Sequence, residues 1–324
     1  MRKLPIITTS EIQCFQRCQR LHEYKYILGY RAPEKAHALE FGSLVHTGLE
    51  KWWATAGDDN ETFGALKSAH EKSALSVLDL VRADVMLTGY HARWIDEPIT
   101  VLGVEQEFCV PVRHPSGAVH TIKLAGKWDA ICTIDGRVFF PEHKTKSEKV
   151  ETEGYFAALR GNLQVSNYLI AATELGHEPG GALYDVLVKP PEPKLATPIE
   201  NRKYTKEGNL YAKQRAEDES PEEYRARLVA LVSAAPEDFY QRATVLRLEH
   251  ELEAARLDLW HMAEALSAER QYSPRNPDAC RGFGRTCEFF EVCFGGADLE
   301  SSGFVKLDNP HQELSNGIGN TEAA

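Results

Sequence analysis

The chain has 324 residues, of which 43% are hydrophobic and 26% are charged, as in an ordinary globular protein that can bury one large core or two smaller ones. Its formal net charge of −11 argues against non-specific coating of nucleic acid as the main activity. No apolar run approaches the length needed to span a bilayer, and an odd number of cysteines, seven, argues against a disulfide framework. We therefore expect a cytoplasmic protein without a membrane partner, whose cysteines are free thiols or metal ligands.

The first third of the chain has helical patterns. Residues 8–26 resemble a capped helix, and residues 41–56 and 61–86 continue with apolar side chains at helical spacing. We expect a helical layer to precede the sheet.

The middle of the chain changes to strand patterns. Residues 104–144 contain three segments that alternate apolar and polar side chains, and a turn at Asp135 and Gly136 separates the last two. These segments predict an antiparallel meander. A helix over residues 154–176 and a strand over residues 181–189 follow, so the predicted fold class is α/β, with a mixed central sheet flanked by helices.

The last third combines a loop, a helix and a polar end. Residues 190–222 are rich in proline and charge and are interpreted as a loop or insertion. A narrow apolar seam from Val245 to Leu266 predicts an amphipathic helix packed on the body of the protein. Residues 299–324 are small and polar and are predicted to be disordered. We therefore expect a single domain over residues 1–298.

One predicted strand ends in a carboxylate, a histidine and a lysine. Glu142 and Lys144 are one residue apart, so they point to the same side of the strand. Folding about the short turn places Asp129 of the preceding strand opposite Glu142 and His143. Two carboxylates with main-chain carbonyls and waters suit Mg²⁺, and a lysine beside them can orient water and offset charge on a phosphate. A strand that simply ends in solvent is the alternative interpretation of the same residues.

Two helices carry further polar pairs at four-residue spacing. His46 and Glu50 share a face of one predicted helix, and Gln164 and Tyr168 share a face of another. A neutral imidazole could complete a metal shell, and the glutamine and tyrosine could hydrogen-bond metal ligands or a DNA backbone. Such pairs are also common on ordinary amphipathic helices, where Gln and Tyr are half-buried.

In chain order, this set of residues resembles the PD-(D/E)XK nuclease superfamily, specifically its RecB-like branch: His46, Asp129, Glu142-x-Lys144 and Gln164-xxx-Tyr168. The resemblance runs from residue 8 to the last cysteine, and it implies a restriction-endonuclease-like core. Pro141 and His143 depart from the aliphatic and aromatic neighbours that are common around the acid and the lysine.

The resemblance implies a role for each residue of the set. Asp129 and Glu142 would bind Mg²⁺ or Mn²⁺, assisted by the main-chain carbonyl of His143. Lys144 would be the catalytic lysine, and His46 would support the metal. The glutamine and tyrosine of the second helix would line the active site.

Three cysteines lie close together near the C-terminus. Cys280, Cys287 and Cys293 are separated by six and five residues. In a reducing compartment this grouping indicates a zinc site or an iron–sulfur cluster, and both need a fourth ligand. Cys14 and Cys18 in the first helix are the candidates.

Iron–sulfur members of the RecB-like branch, such as AddB-type and CRISPR-associated exonucleases, have one cysteine before the nuclease core and three after it. This resemblance implies a 4Fe–4S cluster held by Cys18, Cys280, Cys287 and Cys293. Such a cluster would join the N-terminal helix to the segment 280–293.

These features predict a metal-dependent DNA nuclease, an exonuclease acting on single-stranded ends in DNA repair, recombination or phage DNA processing. The expected partner is DNA with a free end. The sequence has no GxxxxGK[ST] motif, so a helicase or recombination partner would supply any unwinding. A non-catalytic DNA-binding or assembly module that retains the fold is the alternative, and the complete set of Asp, Glu and Lys argues against it. A hydrolase of a small phosphorylated substrate is a third interpretation, which the missing phosphate-binding glycine loop disfavours.

Overall fold

A six-stranded mixed sheet forms the centre of the protein. The computed structural model describes residues 6–32, 36–282 and 285–314. The sheet contains β1 (Ile6–Ile7), β3 (Thr100–Arg113), β4 (Val119–Ile134), β5 (Arg137–Lys146), β6 (Pro179–Val188) and β7 (Tyr240–Val245). Two short pairs lie outside it: β2 (Tyr30–Arg31) with β10 (Val305–Lys306), and β8 (Arg281–Gly282) with β9 (Arg285–Thr286).

The long strand β4 organises this sheet. It pairs antiparallel with β3, parallel with β1 near Leu124, and antiparallel with β5 over residues 132–134. β5 then runs parallel to β6, and β6 runs antiparallel to β7. Asp135 and Gly136 have φ angles of +49° and +77°, the left-handed pair that a type I′ two-residue turn requires. The predicted meander and its turn are confirmed.

Helices cover both faces of the sheet. One layer contains α3 (His37–Ala54), α4 (Asp59–His70), α5 (Val77–Trp94) and α8 (Pro221–Ala234); the other contains α7 (Leu163–Glu174) and α10 (Glu249–Ser267). Adjacent residues of β5 face opposite layers, because Tyr90 of α5 lies beside His143 whereas Gln164 of α7 contacts Glu142. The remaining α-helices are α1 (Thr9–Arg17), α2 (Gln19–His22), α6 (Thr152–Ala158), α9 (Pro236–Phe239) and α11 (Phe290–Phe294).

The parallel pair β5 and β6 creates the sheet edge at which functional residues gather. Parallel strands need a crossover connection, and α6 and α7 supply it. The carboxyl ends of the two strands, Lys146 and Val188, therefore lie at the same edge. The main-chain N–H of Lys189 donates to the carbonyl of Lys146 over 2.7 Å, which ties the two strand ends together.

The helix α3 packs very closely on α5. A Cβ added to Gly48 would lie 2.2 Å from Cδ1 of Leu87, closer than any side-chain atom can approach. Glycine at this position therefore leaves room for the Leu87 side chain of α5 against α3.

One helix boundary is set by a local cap and another by tertiary context. α1 is capped by Thr8, whose hydroxyl accepts a hydrogen bond from the N–H of Glu11. α10 begins only at Glu249, because Val245 belongs to β7 and pairs with Ala182. The prediction that the apolar seam is helical from Val245 onward is therefore wrong at its start.

The segment between β6 and α8 has little regular structure. It contains a short 3₁₀ helix, Ile199–Asn201, and one isolated β-bridge between Tyr204 and Leu210. This segment corresponds to residues 190–222, which the sequence predicts to be a loop or insertion.

The prediction of a disordered end is wrong for residues 299–314. Strand β10 pairs with β2, and both His311 and Leu314 are buried. The Nε2 atom of His311 lies 3.4 Å from a carboxylate oxygen of Glu11 in α1. A few anchoring side chains are enough to fix a segment whose composition is otherwise polar. Residues 315–324 lie outside the described part of the chain.

No helix in the described ranges combines the length and the apolar character needed to cross a bilayer.

Candidate active site

A cleft of about 1220 Å³ opens between α3 and the carboxyl ends of β5 and β6. Its lining includes His46 and Glu50 from α3, together with Glu105, Lys127, Asp129, Lys144, Lys146, Glu148, Lys149 and Lys189. Most of the carboxylates lie towards β3 and β4, whereas most of the lysines lie at the ends of β5 and β6. The cleft therefore carries charges of both signs, and the predicted Asp129 and Lys144 both line it.

The structure brings Asp129 and β5 together as the strand pairing predicts. The main-chain N–H of His143 donates to Oδ2 of Asp129 over 2.9 Å, and Nδ1 of the same residue lies 3.2 Å from that oxygen. Burial acts to raise the pKa of Asp129, but the hydrogen bonds from His143 and the charges of His143 and His46 outweigh it. The pKa of Asp129 is therefore held below its usual range, and this carboxylate is ionised at neutral pH.

Glu142 has a different environment from Asp129. It is 1% exposed, forms an ion pair with Lys144, and accepts a hydrogen bond of 3.0 Å from Nε2 of Gln164. Burial and the nearby charge of Asp129 raise the pKa of Glu142 to about 7, despite the opposing charge of Lys144. Two carboxylates with pKa values shifted in opposite directions are typical of a functional site.

Lys144 and His46 carry the charge states that a metal-dependent site needs. Burial alone would lower the pKa of Lys144, but the charge and hydrogen bond of Glu142 raise it, so the lysine is an ammonium. Burial lowers the pKa of His46, so its imidazole is neutral at neutral pH and could act as a ligand. Its Nδ1 lies 3.9 Å from Oδ2 of Asp129, and its ring is hydrogen-bonded to the main chain of His143.

The helix α7 places Gln164 and Tyr168 behind Glu142. Nε2 of Gln164 lies 2.9 Å from the Tyr168 hydroxyl, so the two residues share a helix face as predicted. Tyr168 is 5% exposed and donates to the carbonyl of Lys127 over 2.7 Å. Neither residue lines the cleft. Glu142 does not line the cleft either, so Gln164 reaches the predicted site from the core through Glu142, and Tyr168 reaches it through the main chain of β4.

The donor set around Asp129 and Glu142 fits a small divalent cation. Both groups are oxygen ligands, and a cation would relieve the repulsion that raises the pKa of Glu142. Within residues 6–32, 36–282 and 285–314, no three His, Cys, Asp or Glu side chains are grouped closely enough to form a metal site on their own. Two carboxylates fit a cation that keeps several waters and takes other ligands from the substrate, as Mg²⁺ commonly does.

The sequence did not single out Glu105 and Lys127. These residues face the cleft from β3 and β4 and form an ion pair. Glu105 has a φ of +50°, an uncommon backbone conformation for a residue other than glycine. Such conformations occur often at functional sites, but nothing in an alternating strand pattern reveals them.

The sequence also did not single out the buried groups behind His143. Asp185 of β6 is 1% exposed and is hydrogen-bonded by Tyr90 of α5 and Arg242 of β7. A single carboxylate inside the apolar stretch around Tyr184 and Val186 was the one available signal, because an unpaired charge cannot be buried at low cost.

The four predicted cluster cysteines line one small cavity of about 20 Å³: Cys18, Cys280, Cys287 and Cys293. Cys14 does not line it. Burial raises the pKa values of Cys287 and Cys293, which disfavours their thiolates, while nearby arginines favour them. Thiolates are the ligands that zinc and iron–sulfur clusters take. Within the described ranges, however, these thiols are not grouped closely enough to form a metal site on their own.

The chain belongs to the PD-(D/E)XK nuclease superfamily, whose family model matches residues 7–294. Members of this superfamily typically use Mg²⁺ or Mn²⁺, so the chain is assigned to the metal-dependent nucleases, with DNA as the implied substrate. The chain also aligns with the crystal structure of SSO0001 at 10% identity and a TM-score of 0.30, covering 83% of this chain and 79% of that one. No curated protein matches it.

Proposed function

We propose that the protein is a Mg²⁺- or Mn²⁺-dependent deoxyribonuclease of the RecB-like branch, an exonuclease that acts on single-stranded DNA ends. The observation that carries this proposal is that Asp129 and Lys144 line one cleft, with the buried Glu142 ion-paired to Lys144. The order of the remaining motif residues along the chain supports the choice of branch. A helicase or recombination partner would supply single-stranded ends.

Asp129 and Glu142 would hold the cation, with His46 and the main-chain carbonyl of His143 as further donors. A divalent cation at this position would polarise the scissile phosphate and lower the pKa of a nearby water. Glu142 must lose its proton to serve as a ligand, and the hydrogen bond from Gln164 and the ion pair with Lys144 keep its oxygens in place.

Lys144 would act on the reacting phosphate. It is an ammonium beside Glu142 at the cleft surface, where it can orient a water molecule and offset the negative charge that builds up in the transition state. Lys146, Lys149 and Lys189 line the same half of the cleft and would bind neighbouring backbone phosphates. Such contacts position the strand without reading its sequence.

Digestion of end-labelled linear and circular single-stranded DNA with Mg²⁺ or Mn²⁺ tests this function. We expect the wild-type protein to degrade linear DNA and to spare circles. Asp129→Ala removes a metal ligand and Lys144→Ala removes a positive charge beside the reacting phosphate, so we expect each to lower the rate at least about 100-fold. Circular dichroism should show that both variants are folded.

Lys67→Ala is the matched control, because Lys67 is an exposed lysine of α4 outside the cleft. It should cleave DNA at the wild-type rate. DNA binding by the wild-type protein without any metal-dependent cleavage would instead support a non-catalytic binding module. Cleavage of circles as fast as linear DNA would refute the exonuclease assignment.

We also propose that Cys18, Cys280, Cys287 and Cys293 hold a structural 4Fe–4S cluster. Their lining of one cavity supports this proposal, as do the neighbouring charges of Arg20 and Arg275, which would offset the negative charge of a thiolate-bound cluster. Zinc bound by the same thiols is the competing possibility, and metal analysis separates the two.

A further inference from the structure

The ring of His143 is buried between two aspartates. His143 is 2% exposed, and its Nδ1 and its main-chain N–H both face Oδ2 of Asp129, at 3.2 and 2.9 Å. On the other side of the ring, Nε2 lies 3.6 Å from Oδ2 of Asp185 and 3.5 Å from the hydroxyl of Tyr90. Oδ2 of Asp129, a residue that lines the cleft, is therefore held by groups in the interior of the protein.

Asp185 and Tyr90 are in turn held by Arg242 of β7. Arg242 donates to Oδ1 and Oδ2 of Asp185 over 2.5 and 2.6 Å, and to the Tyr90 hydroxyl over 2.9 Å. The Tyr90 hydroxyl donates to Oδ2 of Asp185 over 2.7 Å and accepts from Nε1 of Trp53 over 3.2 Å. The hydrogen bonds thus join α3, α5, β6 and β7 to the His143 ring.

A purely structural role does not account for this arrangement. Burying an ion pair such as Asp185 with Arg242 costs desolvation energy. Replacing such a pair by apolar side chains of similar size often leaves the stability of the core unchanged or raises it. The polar chain instead leads to a single oxygen of Asp129. In the part of the chain that the structure describes, the other oxygen, Oδ1, takes part in no hydrogen bond, and Asp129 lines the cleft.

We propose that Tyr90, Asp185 and Arg242 are positioning residues that act through His143 to hold Oδ2 of Asp129, so that Oδ1 is presented to a divalent cation in the cleft. This inference rests on the proposed metal-dependent function. The buried polar groups would then serve the metal site, because hydrogen bonds to one oxygen of a metal-binding carboxylate fix the direction of the lone pairs on its other oxygen.

Calorimetric titration of the metal-free full-length protein with Mn²⁺, without DNA, tests the proposal. Tyr90→Phe removes one hydroxyl and keeps the ring, so it is expected to fold. We expect its apparent Kd for Mn²⁺ to rise about tenfold, as for other residues that support metal ligands. Its kcat on linear single-stranded DNA should fall at subsaturating Mn²⁺, while the KM for DNA stays unchanged. Asp185→Asn should weaken Mn²⁺ binding in the same direction.

Tyr240→Phe is the matched control. The Tyr240 ring lies 6.4 Å from that of Tyr90, and its hydroxyl donates to the carbonyl of Met86, outside the chain that leads to His143. It should lose thermal stability without losing Mn²⁺ affinity. Wild-type affinity in Tyr90→Phe, or an equal loss in Tyr240→Phe, would overturn the proposal. A wild-type protein that neither binds Mn²⁺ nor cleaves DNA would overturn the proposed function itself.

Discussion

Glu142 is held where its own charge is disfavoured. The side chain is 1% exposed, and burial together with Asp129 raises its pKa to about 7. Lys144 and Gln164 nevertheless engage its two oxygens and prevent the side chain from turning away. To bind a cation, this group has to release a proton first.

Cation affinity is therefore expected to depend on pH through Glu142. Its pKa lies above its value in the unfolded chain, so below about pH 7 the carboxyl is protonated and protons compete with the cation. Apparent Mn²⁺ affinity should fall by up to about tenfold for each pH unit below 7, since one proton is displaced. Asp129 adds no such dependence in this range, because its pKa is shifted downward. Calorimetry at several pH values between about 5.5 and 8 measures the effect.

Glu142→Gln is the control for this pH dependence. The amide cannot ionise, so any residual Mn²⁺ binding should be weak and should lose this pH dependence. An affinity of the wild-type protein that is constant across the range would show that Glu142 is already ionised or does not bind the metal.

At the scale of elements, the N-terminal helices are attached directly to the C-terminal segment. Nη2 of Arg17 in α1 donates to the carbonyl of Ala279 over 3.2 Å, and Nδ2 of Asn276 donates to the carbonyl of Arg17 over 2.8 Å. Lys25 forms an ion pair with Glu288. These contacts bring Cys18 beside the three C-terminal cysteines.

An iron–sulfur cluster would strengthen the attachment of the N-terminal helices to the C-terminal segment. The variant Cys280→Ser tests whether such a cluster is present. We expect the wild-type protein, purified without oxygen, to be brown and to contain iron and sulfide. Cys280→Ser should lose the visible absorption and melt at a lower temperature, because a site that binds only the folded state stabilises it. Cys109→Ser is the control, since Cys109 lies in β3 away from the cavity, and it should remain brown. Colourless wild-type protein with stoichiometric zinc would refute the cluster.

At the scale of the molecule, the two ends of the described chain meet on β4. Ile6 of β1, Ala125 of β4 and Leu314 form a small apolar cluster, and His311 approaches Glu11 beside it. The C-terminal segment thus covers the strand that carries Asp129. We therefore expect residues 299–314 to contribute to the free energy of unfolding, although their polar composition alone predicts no such contribution.

Leu314→Ala measures the contribution of this segment. Leu314 is 6% exposed, so removing its side chain should lower the free energy of unfolding by about 2 kcal/mol, the lower end for a buried leucine in a small cluster. Val305→Ala is the control, because Val305 is 51% exposed and its truncation should change stability by less than about 0.5 kcal/mol. Chemical denaturation followed by fluorescence gives both values. Equal effects of the two variants would mean that the segment packs only loosely.

Local chemistry was sufficient to predict the meander. The alternation of side chains, and a turn whose two residues tolerate left-handed φ angles, depend on neighbours in the chain, so they can be read from the sequence. Beyond the paired residues 132–134 of β4, the side chain of Asp129 accepts a hydrogen bond from the backbone of His143. The spacing of Gln164 and Tyr168 likewise predicts a shared helix face, which the structure shows.

The remaining features depend on contacts between residues far apart in the chain. The start of α10 at Glu249 is set by the pairing of β7 with β6, and the order at residues 299–314 by a few buried anchors. Whether Gln164 faces the cleft or the core depends on the sheet face against which α7 packs.

By itself the sequence predicted the helical start, the meander with its turn, the crossover helix, the candidate acidic pair with its lysine, and the grouping of the three C-terminal cysteines, because periodicity and residue chemistry are local properties. Only the tertiary structure decided that Asp185, Tyr90 and Arg242 meet behind His143, since they come from three separate elements. It also decided that Glu142 and Asp129 differ in pKa, because burial and neighbouring charge are set by the surroundings of a group and not by its type.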